Sequence, residues 1–319
     1  MVDQPGGPEV LQLKQIPRPQ PQPGQVLIRI RAFGLNRAEW FTRRGDSPSV
    51  KFPRVIGIEC VGEVESAPAT DLQPGQRVAA MMGGMGRIYD GSYAEYTCVP
   101  RQHVFPLTTD MDWALLGALP EMFQTVNGSL TTGLHVDSGQ TLLIRGGTSS
   151  IGLTTAVLAK RKGLTVYATS RSERSAAKLT AVGVDQPIID TGKIAERVRE
   201  LCPGGVDRVL ELIGTRTLGD SLRATKPGGV VCMTGILGGE WVWPDFEPMA
   251  DIPTGVRLTS YSGGSGDIEL AELQAFIDLV AAGDIDVPRG PVFKLEQIQE
   301  AHELMDNNKA GGKIVVVVD

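Results

Sequence analysis

The sequence predicts an α/β protein, with a β-rich domain beside a doubly wound parallel-sheet domain. Three features predict it. Thr141–Arg171 reads as strand, glycine-rich turn, helix and second strand, a βαβ unit of about the usual length. Beyond it, short apolar β-branched runs alternate with helical patterns as far as Thr234, which implies parallel strands joined by right-handed crossovers. Before it, the first third of the chain breaks into short strands and turns punctuated by glycine and proline, the pattern of a β-rich domain.

Composition bounds the rest. With 319 residues, 41% hydrophobic and 21% charged, the chain is long enough for two domains and has an ordinary soluble composition. A net charge of −6 gives no basic footprint for nucleic acid. No apolar run reaches membrane-spanning length, and Met1–Pro5 lacks a basic-then-apolar signal pattern. Cys60, Cys98, Cys202 and Cys232 are scattered without paired spacing. They read as reduced thiols, which places the protein in the cytoplasm. His103, His135 and His302 are the only histidines, so a His/Cys metal cluster is not expected.

Taken in order, Val10–Leu13 is a possible short strand, and Pro17–Pro23 is extended. Gln25–Phe33 alternates, with Val26, Ile28 and Ile30 on one side, and predicts a strand. Arg37–Arg44 predicts a turn or two of helix. Val55–Glu65, Gln76–Ala80 and Tyr93–Val99 are strand candidates, and Gly83–Gly91 a glycine-rich loop. Met111–Thr125 reads as helix interrupted at Pro120. Thr141–Arg145, Leu164–Thr169, Pro187–Ile189, Val206–Leu212 and Gly229–Thr234 predict strands. Helices are expected at Leu153–Lys162, Arg174–Ala181, Ile194–Leu201 and Leu218–Ala224. Trp241–Pro253 is an irregular loop, Ile268–Ala282 and Leu295–Asn307 are amphipathic helices, and Lys313–Val318 is a β-branched strand. That last strand has no partner in its own neighbourhood. The first domain is therefore expected to be discontinuous, Met1–Met111 packing with Thr254–Asp319, and Asp112–Pro253 to form the cofactor domain.

Gly147, Thr148, Ser149, Ser150, Ile151 and Gly152 fit G-x-G-x-x-G except at Ser149. A strand precedes this turn and a helix follows, the context in which unpaired N–H groups and a helix N-terminus hold a dinucleotide pyrophosphate. At the end of the second strand an acid would bind the ribose 2′-hydroxyl and select NAD. Ser170 and Arg171 stand there instead, with Arg174 and Lys178 downstream, which suits a 2′-phosphate and hence NADPH. The same residues also read as a solvated helix start. Gly214 follows one later strand, and Gly235 and Leu237 another. In an open α/β sheet ligands lie outside these carboxyl ends, although plain turn chemistry accounts for each alone.

Taken together, several segments resemble the medium-chain dehydrogenase/reductases, in the zinc-independent quinone oxidoreductase branch related to ζ-crystallin. They are Gly34–Glu39, Val55–Glu59, Asp90–Tyr96, Arg145–Gly152 and the Gly311-Gly312-Lys313-Ile314-Val315 run. The resemblance spans nearly the whole chain. It implies a GroES-like β domain, a Rossmann domain inserted into it, and NADPH-dependent reduction of quinones or other α,β-unsaturated carbonyls. In the zinc-dependent branch a Cys stands where this chain has Asn36, and a His stands at Ile58; the four-cysteine structural zinc segment is missing too. The resemblance therefore implies that no metal is held.

By resemblance, Asn36 faces the nicotinamide and substrate, Thr125 contacts the nicotinamide region, and Lys313 belongs to the cofactor-side set. Asn36 reads equally well as a turn-stabilising residue, and Thr125 as a helix-end hydroxyl. The expected reaction is hydride transfer from NADPH to an enone β-carbon or a quinone. Tyr93, Tyr261 and solvent are the candidate proton donors. The chain departs from its relatives in two places. Asp46 and Ser47 follow Gly45 where many carry a tyrosine. The Gly6–Leu11 stretch also starts almost at once, so an initial β-strand is missing or the start is late, and an unpaired sheet edge would follow. Alternatives are an enoyl-thioester reductase of a biosynthetic pathway and a non-catalytic NADPH-binding protein. The resemblance also implies a homodimer through the last Rossmann strand, for which Gly229–Met233 is apolar enough.

Overall fold

The computed structural model describes residues 1–319. The chain forms two compact units, Met1–Gln124 with Gly264–Asp319, and Thr125–Gly263. The cuts fall later than the 111/112 and 253/254 boundaries read from sequence. At the first cut the reason is Trp113–Leu116, a helical turn that packs on strands of the first unit although its pattern runs on toward the second. At the second cut it is Arg257–Ser260, a strand not predicted, which pairs with Val230–Met233 in the second unit.

The first unit is built on a seven-stranded sheet. Its strands are β1 (Gln25–Gly34), β2 (Glu59–Ser66), β3 (Arg77–Met81), β4 (Tyr96–Pro100), β5 (Val104–Pro106), β12 (Arg289–Lys294) and β13 (Lys313–Val317). β1 organises it. Along one edge β1 pairs antiparallel with β2; along the other it takes β4 at Gln25–Arg29 and β13 at Ala32–Gly34. The late Val-rich strand thus finds its partner in the first strand of the chain. Val26, Ile28, Ile30 and Phe33 of β1, with Ile314 and Val316 of β13, enter one buried core, as period-2 alternation requires. Helix α1 (Arg37–Arg43) follows β1, and α10 (Ile298–Asp306) supplies Ile298, Ala301 and Met305 to the same core.

Three sequence expectations change here. Val10–Leu13 is no strand: Pro8–Val10 is a single 3₁₀ turn, fixed by Pro8, and Leu11 makes only an isolated bridge to Val2. Val2 also bridges Arg54. Strands β5 and β12 were not predicted. Both are short or contain proline and lack a clean alternation, which edge strands do not need.

The second unit holds six parallel strands: β6 (Thr141–Arg145), β7 (Thr165–Ser170), β8 (Gln186–Ile189), β9 (Val206–Glu211), β10 (Thr225–Met233) and β11 (Arg257–Ser260). Their order is β11-β10-β9-β6-β7-β8. The order reverses between β6 and β9, so the carboxyl ends of those two strands make the switch point where such sheets bind ligands. Helices α4 (Ser150–Arg161), α5 (Glu173–Ala181), α6 (Ala195–Leu201) and α7 (Thr215–Ala224) connect the strands. Gly229–Met233 does not end the sheet. It lies inside β10, between β9 and β11, and its apolar character reflects burial rather than an interface; the outer edge is β11. No helix is long and apolar enough to cross a membrane.

Candidate functional site

The second unit places the glycine-rich turn at the switch point. Gly146 takes a positive φ of 85°, and its N–H reaches the Thr169 hydroxyl on β7 at 3.0 Å. Gly147 and Gly152 are glycines because there is no room for more. A Cβ on Gly147 would lie 2.8 Å from Ala168 Cβ, and one on Gly152 2.6 Å from the Gly146 carbonyl oxygen. Ser149 explains the motif's missing glycine. It is the N-cap of α4: its hydroxyl accepts from the Gly152 N–H at 3.1 Å and donates to the Gly146 carbonyl at 2.9 Å. The cap takes one donor of the first turn and leaves the N–H groups of Ser150 and Ile151 without a protein partner. These free donors, and the positive end of a twelve-residue helix, fit a pyrophosphate.

The neighbouring turn after β9 is held from below. Glu211 is fully buried, and its Oε1 accepts from the N–H groups of Ile213 at 2.7 Å and Gly214 at 3.1 Å and from the Thr217 hydroxyl at 3.0 Å. Its Oε2 accepts from Ser221 at 2.6 Å. Burial raises its carboxyl above the usual range, while these bonds and nearby Arg145 favour the charge. Gly235 and Leu237 continue the same surface through backbone bonds to Glu211 and Leu212.

At the end of β7, Arg171 is exposed, and neither it, Arg174 nor Lys178 pairs with an acid. Ser170 is buried and its hydroxyl donates to the Ser172 carbonyl at 3.0 Å. That bond shapes the turn. Thr125 is part-buried on α3 (Pro120–Gly128), and its carbonyl accepts from Ser129 at 2.6 Å.

The first unit gathers a different set. Glu59 opens β2, Glu121 lies in the first turn of α3, Lys313 opens β13 and Asn36 precedes α1; all four are buried. Lys313 Nζ lies 2.8 Å from Glu59 Oε1 and 3.0 Å from Glu121 Oε2, and it donates to Asn36 Oδ1. Glu59 Oε2 accepts the Glu121 N–H at 3.0 Å, so a carboxylate also caps the start of α3. Burial alone would lower the lysine's pKa, but the two carboxylates hold it above its ordinary value. Glu39, fully buried on α1, accepts from the Ile58 N–H at 2.9 Å and the Asn36 N–H at 2.6 Å. Burial pushes its carboxyl up to about 7, despite those bonds.

Asn36 therefore does more than stabilise a turn. Its Nδ2 donates to Glu59 Oε1 at 3.0 Å and its Oδ1 is taken by Lys313, so it is a linker inside the charge cluster. Tyr93 is stacked on Phe33, with ring centroids 4.6 Å apart, and its hydroxyl meets His302 Nε2 at 2.9 Å in the core. That partner gives the hydroxyl a structural task. Burial lowers His302 to about 3, which keeps the ring neutral. Glu121 was invisible to sequence reasoning; the available signal was an acid just after the helix-starting Pro120.

Gly34 makes room for the cluster. A Cβ there would sit 2.4 Å from Lys313 Cε and 2.5 Å from Glu59 Oε1. Gly34→Ala is expected to cost about 1–3 kcal/mol, the usual range for overpacking, read as a lower urea midpoint. An unchanged midpoint would show that the lysine stem moves aside freely.

Comparisons with known proteins bear on the family and the fold. Residues 22–109 match the model of the alcohol dehydrogenase GroES-like domain, and residues 182–316 that of the zinc-binding dehydrogenases. The quinone oxidoreductase of Pongo abelii is 27% identical over 325 residues, covering 98% of this chain and 95% of that protein. A component of the phenolphthiocerol/phthiocerol polyketide synthase of Mycobacterium tuberculosis is 28% identical over 331 residues, 99% of this chain but 14% of its own length. Among solved structures, a quinone oxidoreductase of Pseudomonas syringae superposes with a TM-score of 0.89 at 25% identity, covering 99% of this chain and 98% of that one. A mycobacterial protein complexed with NADPH gives 0.87 at 26% identity, covering 99% and 98%.

Proposed function

Because the chain belongs to the medium-chain dehydrogenase/reductases, in the quinone oxidoreductase branch, we propose that it is an NADPH-dependent reductase. It acts, in this reading, on quinones or other α,β-unsaturated carbonyls and uses no zinc. The observation that carries the reading is the switch-point turn with free N–H donors, combined with an unpaired Arg171 where an acid would select NAD. The likeness to an NADPH complex supports it.

The bound nicotinamide would supply the hydride. The chain's own part is to bind and orient. The N–H groups of Ser150 and Ile151 face the pyrophosphate, Arg171 pairs with the 2′-phosphate, and Glu211 keeps the Gly214 turn in shape. With the Tyr93 hydroxyl held by His302, Tyr261 and solvent remain as sources of the proton that completes the reduction.

Metal independence rests on the donor set. Ile58 has no atom that can bind a metal, and Asn36 offers an amide oxygen already engaged by Lys313. The match to a family described as zinc-binding concerns residues 182–316, which include neither Asn36 nor Ile58. The free thiols of Cys60, Cys98, Cys202 and Cys232 suit a cytoplasmic protein, and the open parallel edge of β11 suits a homodimer.

NADPH oxidation against a panel of quinones, enones and enoyl thioesters tests the whole reading. Turnover with quinones or enones, no stoichiometric zinc in the purified protein and no loss of rate with a chelator are the expected results. Rate lost to a chelator and recovered with zinc would refute metal independence. The match to a polyketide synthase favours one second reading, an enoyl-thioester reductase, which the panel separates by its preferred acceptor. Binding of NADPH without turnover of any acceptor would point to a non-catalytic protein.

A further inference from the structure

Four segments far apart in sequence send one side chain each to a single buried point. Glu59 Oε1, Glu121 Oε2 and Asn36 Oδ1 all converge on Lys313 Nζ, the first two at 2.8 and 3.0 Å. An ammonium has three N–H donors, and here each has its own oxygen. The site is dry, since Lys313 and Glu59 are at most 2% exposed. A buried carboxylate without a counter-charge is costly, and Glu39 adds a third carboxyl beside Asn36. Gly34 leaves the space through which the lysine stem arrives.

We infer that Lys313 is a tethered counter-cation, a positioning residue whose ammonium fills an oxygen cage that would otherwise take a hard divalent cation. Oxygen-only donor sets suit Mg²⁺, Ca²⁺ and Mn²⁺ rather than soft metals. Oxygens lying about 3 Å from one centre need only a modest inward shift to reach the 2.0–2.6 Å of Mg²⁺ and Ca²⁺ coordination. The ammonium also fixes Asn36, because with Oδ1 held by Lys313 its amide nitrogen turns to Glu59. This role is independent of which acceptor the protein reduces, or of whether it reduces any.

The test is Lys313→Ala, titrated with Mn²⁺ by electron paramagnetic resonance and followed by thermal unfolding. Wild type is expected to bind no Mn²⁺ tightly and to keep its midpoint when Mn²⁺ is added. The variant is expected to bind a single equivalent, to gain stability with it, and to gain stability with n-propylammonium but not with n-propanol. Adding Glu121→Gln to the variant is expected to weaken Mn²⁺ about tenfold or more, since carboxylate count tunes such sites. Lys313→Met fills the space without the charge and is expected to be destabilised and blind to Mn²⁺. A folded Lys313→Ala that ignores both cations overturns the inference, as does a Lys313→Met variant as stable as wild type. If Lys313→Ala does not fold in buffer, refolding from guanidinium is run with and without millimolar Mn²⁺. A folded yield that appears only with Mn²⁺ supports the cage, and no folded yield in either refutes it.

Discussion

Arg171→Ala is expected to weaken NADPH binding by roughly 10- to 100-fold and to leave NADH binding almost unchanged. The argument starts at the end of β7, where the exposed Arg171 has no acidic partner. A guanidinium on a phosphate makes charge-assisted, often bidentate hydrogen bonds, and bonds to charged groups are worth about 1.5–3 kcal/mol. At about 1.4 kcal/mol per factor of ten, that gives the stated range. NADH has no 2′-phosphate, so it loses nothing. Ser170 does not share the effect, because its hydroxyl is spent on the Ser172 carbonyl. Lys178 lies further along α5 and is expected to matter less. Titrating both cofactors into wild type and variant decides the matter. Equal weakening of both, or of neither, would mean that the arginine does not read the phosphate.

What was legible in the sequence was local. The βαβ unit around Gly147, the alternation of β1 and the β-branched run of β13 all carry their signal in neighbouring residues, and all are elements of the structure. The discontinuity of the first domain was legible for the same reason, since a strand as apolar as Ile314–Val316 must be covered on both sides. β5, β11 and β12 escaped because an edge strand of three to six residues with proline or exposed positions has no periodicity to read. Ser149 departs from the motif in sequence, and only the structure shows that its hydroxyl closes the turn. The charge clusters were hidden for another reason. Glu59, Glu121 and Lys313 are far apart in sequence, and nothing in a single chain says that Glu121 points at Lys313 rather than at water. Arg145 is the same case, in sequence only the last residue of a strand before the glycines.

That residue carries the other large effect. Arg145 is 0% exposed, and its guanidinium reaches Asp190 Oδ2 at 2.6 Å, Asp190 Oδ1 at 3.0 Å and Asp220 Oδ2 at 2.8 Å. Asp220 in turn accepts the N–H groups of Ile194 and Ala195 at the start of α6. One arginine thus ties β6, the loop after β8 and α7 together, directly beneath Gly146. Arg145→Met keeps much of the apolar volume and strands two buried carboxylates, which typically costs about 3–5 kcal/mol, a large part of the about 5–15 kcal/mol that holds a domain folded. The pH dependence separates this from simple packing loss. In wild type, burial would raise Asp190, but Arg145 holds it below the usual carboxylate range. That pair therefore stabilises the fold above the ordinary aspartate pKa and is lost only as pH falls through the depressed value. In the variant the main depressing partner is gone and burial is opposed only by the bonds from the Gly192 N–H and the Thr169 hydroxyl, so the carboxyl's pKa is expected to rise above its unfolded value. Its ionisation then opposes folding, and stability is lost as pH rises from the acid side toward neutral. Urea unfolding of the isolated proteins is expected to show a gap between wild type and Arg145→Met that widens from about pH 5 to about pH 8. Adding Asp190→Asn and Asp220→Asn is expected to close much of it, because removing the whole charged set costs less than breaking it. A gap that is constant with pH, or one that the asparagines enlarge, would mean that the arginine matters for its bulk and not for its charge.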